Sequence, residues 1–269
     1  MDISGPVAAT SIYLDLTQAF NRGRIRTVIS SGQAVVLHRI TMQSKDGDWL
    51  IREDAEACAH ILAELAARGA HYRYGAPLDT RWLAGGWSSH LEYVEQGLRV
   101  RCDFVSRPPR LDAANLCRLW ESAHGDVPVV GLHDLIELKK TDRERDYVII
   151  GALAQHLDDP HAELLASRSP MRLRQLAATH PTLLAQGIPD RRLLAEIAGA
   201  DEDAIAVLLD AERRDLMRAN RERLAMFQRA AEAWRTAWMA LPATLPRLPL
   251  AEQHRILVDA AGHTLPLTP

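Results

Sequence analysis

Lysine is nearly missing from this chain. Of 32 basic residues in 269, three are lysines: Lys45, Lys139 and Lys140. A chain otherwise committed to arginine keeps a slender ammonium where a planar guanidinium serves less well. All three sit in segments that look chemical on other grounds. Aromatics are also scarce, at 5% of residues, so Leu, Val, Ile and Ala must fill most of a core. Cys58, Cys102 and Cys117 form no CxxC pair, which argues against a disulfide scaffold or a zinc ribbon. No stretch approaches the roughly 18 apolar residues of a membrane span. The opening MDISGPVAAT has no basic segment followed by an apolar run, so no signal peptide is expected and a cytoplasmic location is. The formal charge of −3 excludes a broadly basic nucleic-acid binder but leaves room for a local basic cleft. GxSxG and P-loop spacings are absent as well.

What remains is ordinary globular material, 47% hydrophobic and 25% charged, enough for one large domain or two smaller ones. The first 105 residues mix helix and strand signals. Helices are expected at Ile12–Asn21, Gln33–His38 and, most clearly, Asp54–Arg68, where Cys58, Ile61, Leu62 and Leu65 recur at helical spacing before Gly69. β-Branching marks Arg26–Ser30 as a strand, and Trp49–Ile51 reads as another. Trp82–Val105 suits antiparallel structure with turns at Gly85-Gly86 and Gln96-Gly97, and Leu98–Val105 alternates most cleanly. Beyond Pro108-Pro109 nearly everything reads as helix, including Asp112–Ala123, a continuous Leu132–Leu157 and one long piece over Asp201–Leu241. The stripe Met217, Leu224, Phe227, Ala231, Trp234, Trp238 in that piece has the spacing of a packing seam. The expected architecture is α/β (α+β): a catalytic domain with a mixed sheet over residues 1–157 and a helical domain over 158–269, the break falling at His156–Pro160.

The chemistry concentrates in Ser44-Lys45-Asp46-Gly47-Asp48-Trp49, preceded by Ser31-Gly32. On a strand, the period of two points Asp46 and Asp48 to one face, about 7 Å apart. Mg²⁺ favours such converging carboxylate oxygens, with water and phosphate completing its shell. Asp103, flanked by Cys102 and Phe104, supplies a third carboxylate that apolar neighbours make costly without a cation or partner. Three carboxylates on adjacent strands would make a two-metal site for phosphoryl or nucleotidyl transfer. Ser31-Gly32, a small-residue turn opening a helix, would offer N–H groups to phosphate oxygens.

In these residues the chain resembles minimal nucleotidyltransferases of the DNA-polymerase-β superfamily, in the AbiEii-like branch that includes toxin nucleotidyltransferases. Ser31-Gly32-Gln33-Ala34-Val35-Val36-Leu37-His38-Arg39 followed by Asp46-Gly47-Asp48 resembles the opening motif. The strand ending in Asp103 matches the third metal-binding Asp, and Leu132–Lys139 with Arg143–Asp146 resemble the later Lys and Asp motifs. The likeness covers roughly residues 25–155. It implies transfer of an NMP from an NTP to an acceptor, with two Mg²⁺ ions and release of pyrophosphate. Asp46, Asp48 and Asp103 would hold metal, Lys139 and Asp146 would act in catalysis, and Ser31, Gly32, Lys45 and Arg107 would contact the nucleotide. The acceptor would be an RNA 3′ end, a protein or a small molecule, with a cognate partner protein a further expectation. Three departures stand out: Ser31 where the family has Gly, Met42 where it often has Arg, and Gly47 where it has an apolar residue. They motivate the alternative, a non-catalytic nucleotide- or partner-binding protein on the same fold.

Other candidates read more simply. His38 and His90 suit structural hydrogen bonds, and nothing marks His156 and His161 as a zinc site. Gly85–His90 reads as a hairpin turn. Arg107 and Arg110 are about equally suited to a triphosphate and to solvent. If Leu132–Leu157 is one helix, Lys139 and Asp146 share its apolar stripe and Lys140 lies about 100° round it. An internal Lys139–Asp146 tether and a phosphate contact then compete for the same lysine. The helical C-terminal half is expected to pack beside the catalytic cleft and shape the acceptor site.

Overall fold

The computed structural model describes the backbone from residue 4 to residue 269 and side chains from Ile12 onward. Internal packing divides the chain into two units, Met1–Val130 with Ala225–Pro269, and Gly131–Leu224. The division expected from sequence lay at 157/158, whereas the packing divides at 130/131 and again at 224/225.

The first unit carries α1 (Ser4–Phe20), β1 (Thr27–Ile29), α2 (Ser31–Leu37), β2 (Gly47–Ile51), α3 (Ala55–Ala66), β3 (His71–Tyr72), α4 (Thr80–Leu83), β4 (Ser89–Glu95), β5 (Leu98–Val105) and α5 (Ala113–Ser122). The five strands form one mixed sheet in the order β1-β2-β5-β4-β3. β2 and β5 run parallel, with Gly47 opposite Cys102 and Asp48 opposite Asp103, and the remaining pairs are antiparallel. Alternation sorts the residues onto two faces. Trp49, Leu91, Tyr93, Val100, Cys102 and Phe104 point into the core, where Phe20 of α1 packs edge-on against Trp49 and Phe104 at 5.3 and 5.7 Å between ring centres. Asp48, His90, Glu92, Arg101 and Asp103 are half-buried on the opposite face. α3 adds Cys58, Ile61 and Leu65 to the core, and its N-terminus is capped by Asp54, whose carboxylate accepts from the Ala57 N–H at 2.7 Å.

The second unit is helical: α6 (Leu132–Leu138), α7 (Glu144–Ala154), α8 (Pro160–Ala166), α9 (Pro170–Thr179), α10 (Pro181–Gly187), α11 (Leu194–Ile197) and most of α12 (Glu202–Ala230). Leu164, Leu173, Leu176, Leu194, Ile197 and Ile205 form its core. The chain then returns to the first unit with α13 (Glu232–Ala240) and α14 (Leu250–Thr264). Gln253 of α14 accepts from the Tyr72 N–H of β3, and beyond the helix the carbonyls of Leu265 and Pro266 accept from the buried indoles of Trp82 and Trp87. A Cβ on Gly85 would stand 1.6 Å from the Leu267 carbonyl oxygen, so only glycine admits this close approach.

Several expected elements change. Trp82 belongs to the short helix α4, started by Asp79, which accepts from the Arg81 N–H; Gly85-Gly86 leads from that helix into β4 and does not join two strands. The expected Leu132–Leu157 helix is two helices separated at Lys139–Arg143, and the piece over Asp201–Leu241 breaks at Ala231. The aromatic end of its stripe does pack: Phe227 meets Trp87, Trp234 is buried with its indole N–H on the Gly75 carbonyl, and Trp238 meets Tyr74. Among the described residues no helix is long and apolar enough to cross a membrane.

Candidate active site on the open sheet face

The parallel β2–β5 register sets Asp48 beside Asp103, and equal parity places both side chains on the open face. Neighbouring strands lie about 4.8 Å apart, so these carboxylates are within reach of one shared ion. Asp103 is held from the other side. Its Oδ1 lies 2.8 Å from His90 Nδ1 on β4, its register partner, and accepts from Arg73 Nη1 at 3.2 Å. His90 Nε2 in turn lies 3.0 Å from Ser88 Oγ, so Ser88, His90 and Asp103 form a hydrogen-bonded row across two strands. Asp46 precedes β2 and accepts from Arg101 Nη1 at 3.3 Å, and Arg101 lies two residues before Asp103 on the same face. Glu92 sits between Arg73 and Arg101 at 3.6 and 3.8 Å and also faces His71 at 3.4 Å. Acids and bases therefore alternate across this face.

The turn between β1 and α2 lies beside Asp48. The Ser30 N–H and Oγ both donate to the Asp48 carbonyl, at 2.9 and 3.2 Å. Ser31 takes the left-handed region at φ 49°, a conformation that favours glycine. Gly32 packs so closely that a Cβ would fall 2.2 Å from Ser44 Oγ. Gln33, fully buried, donates its amide N–H to the carbonyls of Ser44 and Asp46 at 3.3 and 3.4 Å and so ties α2 to the strand that carries the acids. Gly47 has a packing cause. A Cβ there would stand 2.4 Å from the Trp49 ring and 2.6 Å from Tyr13, so these two rings occupy the volume a side chain would need. Tyr13 spans the same corner. Its hydroxyl donates to the Lys45 carbonyl at 2.9 Å and accepts from the Arg101 N–H, and burial above all pushes its pKa up to about 12, so it stays protonated.

The other expected site residues have partners of their own. Arg107 forms a bidentate pair with Glu53 at 2.6 and 2.7 Å, beyond the ends of β5 and β2. Met42 is 92% exposed in the loop before Ser44. Lys139 and Asp146 belong to the second unit, where they pair at 3.7 Å across the break between α6 and α7, with side chains 6% and 3% exposed. Asp146 also accepts from Thr141 Oγ1 at 2.6 Å and from Arg143 at 2.9 and 3.0 Å. Lys140 pairs with Glu137 and is the more exposed lysine. His38 holds the Val130 carbonyl at 2.8 Å, a structural contact. His90 makes the hydrogen bonds expected of it, and one of its partners is Asp103. The alternation of β4 and its pairing across a two-residue turn with Leu98–Val105 held that signal, because residue 90 falls opposite residue 103.

The donor set fits a divalent cation in kind: Asp48 and Asp103 offer hard oxygens from one face. Among the described residues no group of three or more His, Cys, Asp or Glu is placed to hold a metal ion, and Asp46 would join such a site only on leaving Arg101.

No protein-family model matches the sequence, and no curated protein matches it. A solved structure described as "Crystal structure of putative nucleotidyltransferase from H. pylori" is similar over 81% of this chain and 97% of that one, with 13% identity and a TM-score of 0.42.

Proposed function

We propose that the protein is a nucleotidyltransferase that moves an NMP from an NTP to an acceptor and releases pyrophosphate. The observation that carries this reading is the register of Asp48 with Asp103 on the open face, beside the Ser30–Gly32 turn. Asp48 and Asp103 would hold divalent cations, with Asp46 as a third ligand. The ions, when bound, neutralise charge developing on the transferring phosphoryl group. The turn at Ser31 and Gly32 would receive phosphate oxygens. The row Ser88–His90–Asp103 fixes the imidazole, and Arg73 and Arg101 add positive charge near the acids. The AbiEii-like branch, a toxin role and a cognate partner protein remain part of this proposal through the motif resemblance.

Incubation with each α-labelled NTP and Mg²⁺, against total RNA and protein, tests the reading. Transfer of label with pyrophosphate release, lost in Asp48→Asn and in Asp103→Asn with the fold retained, is the expected result. Absence of transfer and of Mg²⁺-dependent NTP binding overturns it. The second reading is a non-catalytic binding protein, favoured by the pairing of Asp46 with Arg101 and of Asp103 with His90 and Arg73. NTP binding that neither needs Mg²⁺ nor yields pyrophosphate would decide for it.

A further inference from the structure

Strand β5 extends four residues beyond the start of β2, since Gly47 pairs with Cys102 and β5 begins at Leu98. Along that overhang the edge of β5 faces a cleft of about 540 Å³ instead of a neighbouring strand. Tyr13 keeps the gap open. Its hydroxyl stands where a ladder hydrogen bond would form, accepting from the Arg101 N–H and donating to the Lys45 carbonyl, so the two chains are bridged by a side chain and held apart. Backbone groups on one strand edge repeat every second residue, so the N–H and C=O of Arg99 face the same side as the Arg101 N–H.

Ile12, Tyr13, Leu98 and Val100 form the apolar part of the wall, and Lys45, Arg99 and Arg101 bring positive charge. Against these three cations the cleft holds one acid, Asp46, which is paired with Arg101. Among the described residues neither Lys45 nor Arg99 has an ion-pair partner, and the buried Arg101 Nε has no hydrogen-bond acceptor. The volume is that of a small-molecule site, in which apolar walls bury the ligand body and a few polar groups orient it.

We propose that this cleft binds a small anionic molecule with an apolar body, its phosphate or carboxylate held by Lys45 and Arg99 and its body lying on Ile12, Tyr13 and Leu98. The cleft borders the proposed transfer site, since Asp46 lines it, but binding there does not depend on nucleotide transfer. It touches that pair's surroundings through Arg101, whose guanidinium an incoming anion would draw from Asp46.

Titration calorimetry with 1-naphthyl phosphate, 1-naphthoate and the neutral 1-naphthylmethanol, without nucleotide or divalent cation, tests the proposal on the full chain. One or both anions should bind more tightly than the alcohol, and the better anion identifies the head group. The double variant Lys45→Ala/Arg99→Ala should weaken anion binding by roughly tenfold or more, the worth of a charge-assisted contact. Both side chains are exposed, so the fold should be retained, and a thermal melt checks it. Leu98→Glu, which removes an apolar contact and puts a like charge on the wall, should weaken the anions more than the alcohol. Equal affinity for anion and alcohol, unchanged anion binding in the double variant, or no binding of either anion at millimolar concentration overturns it. Because no NTP is present, failure here is distinct from failure of the nucleotidyltransferase reading.

Discussion

His90 and Asp103 are register partners on adjacent antiparallel strands, with Nδ1 and Oδ1 2.8 Å apart. Arg73 shares the same oxygen at 3.2 Å, so Asp103 meets two basic groups on the side away from Asp48. Any cation at Asp48 and Asp103 must bind against the Arg73 charge. Arg73→Ala should therefore tighten Mn²⁺ binding, measured by the loss of the free-ion EPR signal, because a like charge is removed. Unchanged or weaker binding would mean that the cation does not use Asp103.

Ser31 at φ 49° carries backbone strain that glycine would not. Ser31→Gly should leave the fold intact and raise stability by up to about 1 kcal/mol, offset in part by glycine's greater freedom in the unfolded chain. Urea denaturation reads this directly. A loss of NTP binding in the more stable variant would assign the hydroxyl a part in the site, whereas a loss of stability would show that the turn depends on the serine side chain.

Lys139 and Asp146 are both nearly inaccessible, and without Lys139 the carboxylate would keep only Arg143 and Thr141 as partners. Lys139→Met should cost about 1–3 kcal/mol of stability in the second unit, the loss of a charged contact and not of a sole partner. Lys140→Ala removes a partly exposed pair with Glu137 and should cost about 1 kcal/mol or less. Comparable melting of the two variants would show that the Lys139 pair does not hold the α6–α7 break together.

His254 stacks on Tyr72, and its Nδ1 lies 2.8 Å from the Tyr72 hydroxyl, which itself accepts from the Leu78 N–H. The imidazole can accept the hydroxyl proton there only while that nitrogen is unprotonated. Burial pushes its pKa below the ordinary 6.5, with Asp79 opposing and Arg81 adding to the shift. Below about pH 6.5 the unfolded chain binds a proton that the folded chain resists. Stability from this contact is therefore full above that pH and falls as pH drops towards the depressed folded value. His254→Gln should flatten the pH dependence of the urea midpoint in that window. An unchanged slope would place the acid sensitivity elsewhere.

Much of the sheet was legible because its residues speak locally. Leu98–Val105 alternates in character as far as Phe104, and Asp54 announces the start of α3. The spacing of Asp46 and Asp48, with Asp103 in apolar company, predicts one shared face, which the register gives for Asp48 and Asp103. The misreadings share one cause, which is that tertiary contacts decided them. Nothing between Lys139 and Arg143 is a proline or glycine, yet the chain turns there as Thr141 engages Asp146 and Arg143, an arrangement invisible to helical periodicity. Gly85-Gly86 resembles a hairpin turn because the chain segment that requires its bareness, around Leu267, lies some 180 residues away. Gly47 reads from sequence only as a departure from the resembled motif, and the placement of Trp49 and Tyr13 shows it as space already filled.

The division of the chain has a consequence for biosynthesis. The helical unit is continuous from Gly131 to Leu224, but the sheet-bearing unit is split around it. Gln253 accepts a hydrogen bond from the Tyr72 N–H of β3, and Trp82 and Trp87 find their acceptors at Leu265 and Pro266. Domains generally fold as units while synthesis proceeds from the N-terminus. On a ribosome the later-made helical unit would thus be the first to have all its parts, while the earlier-made sheet waits for residues 250–267 with its indoles unsatisfied. A nascent chain stalled before that point would expose this waiting surface to chaperones, even though every strand had already been made.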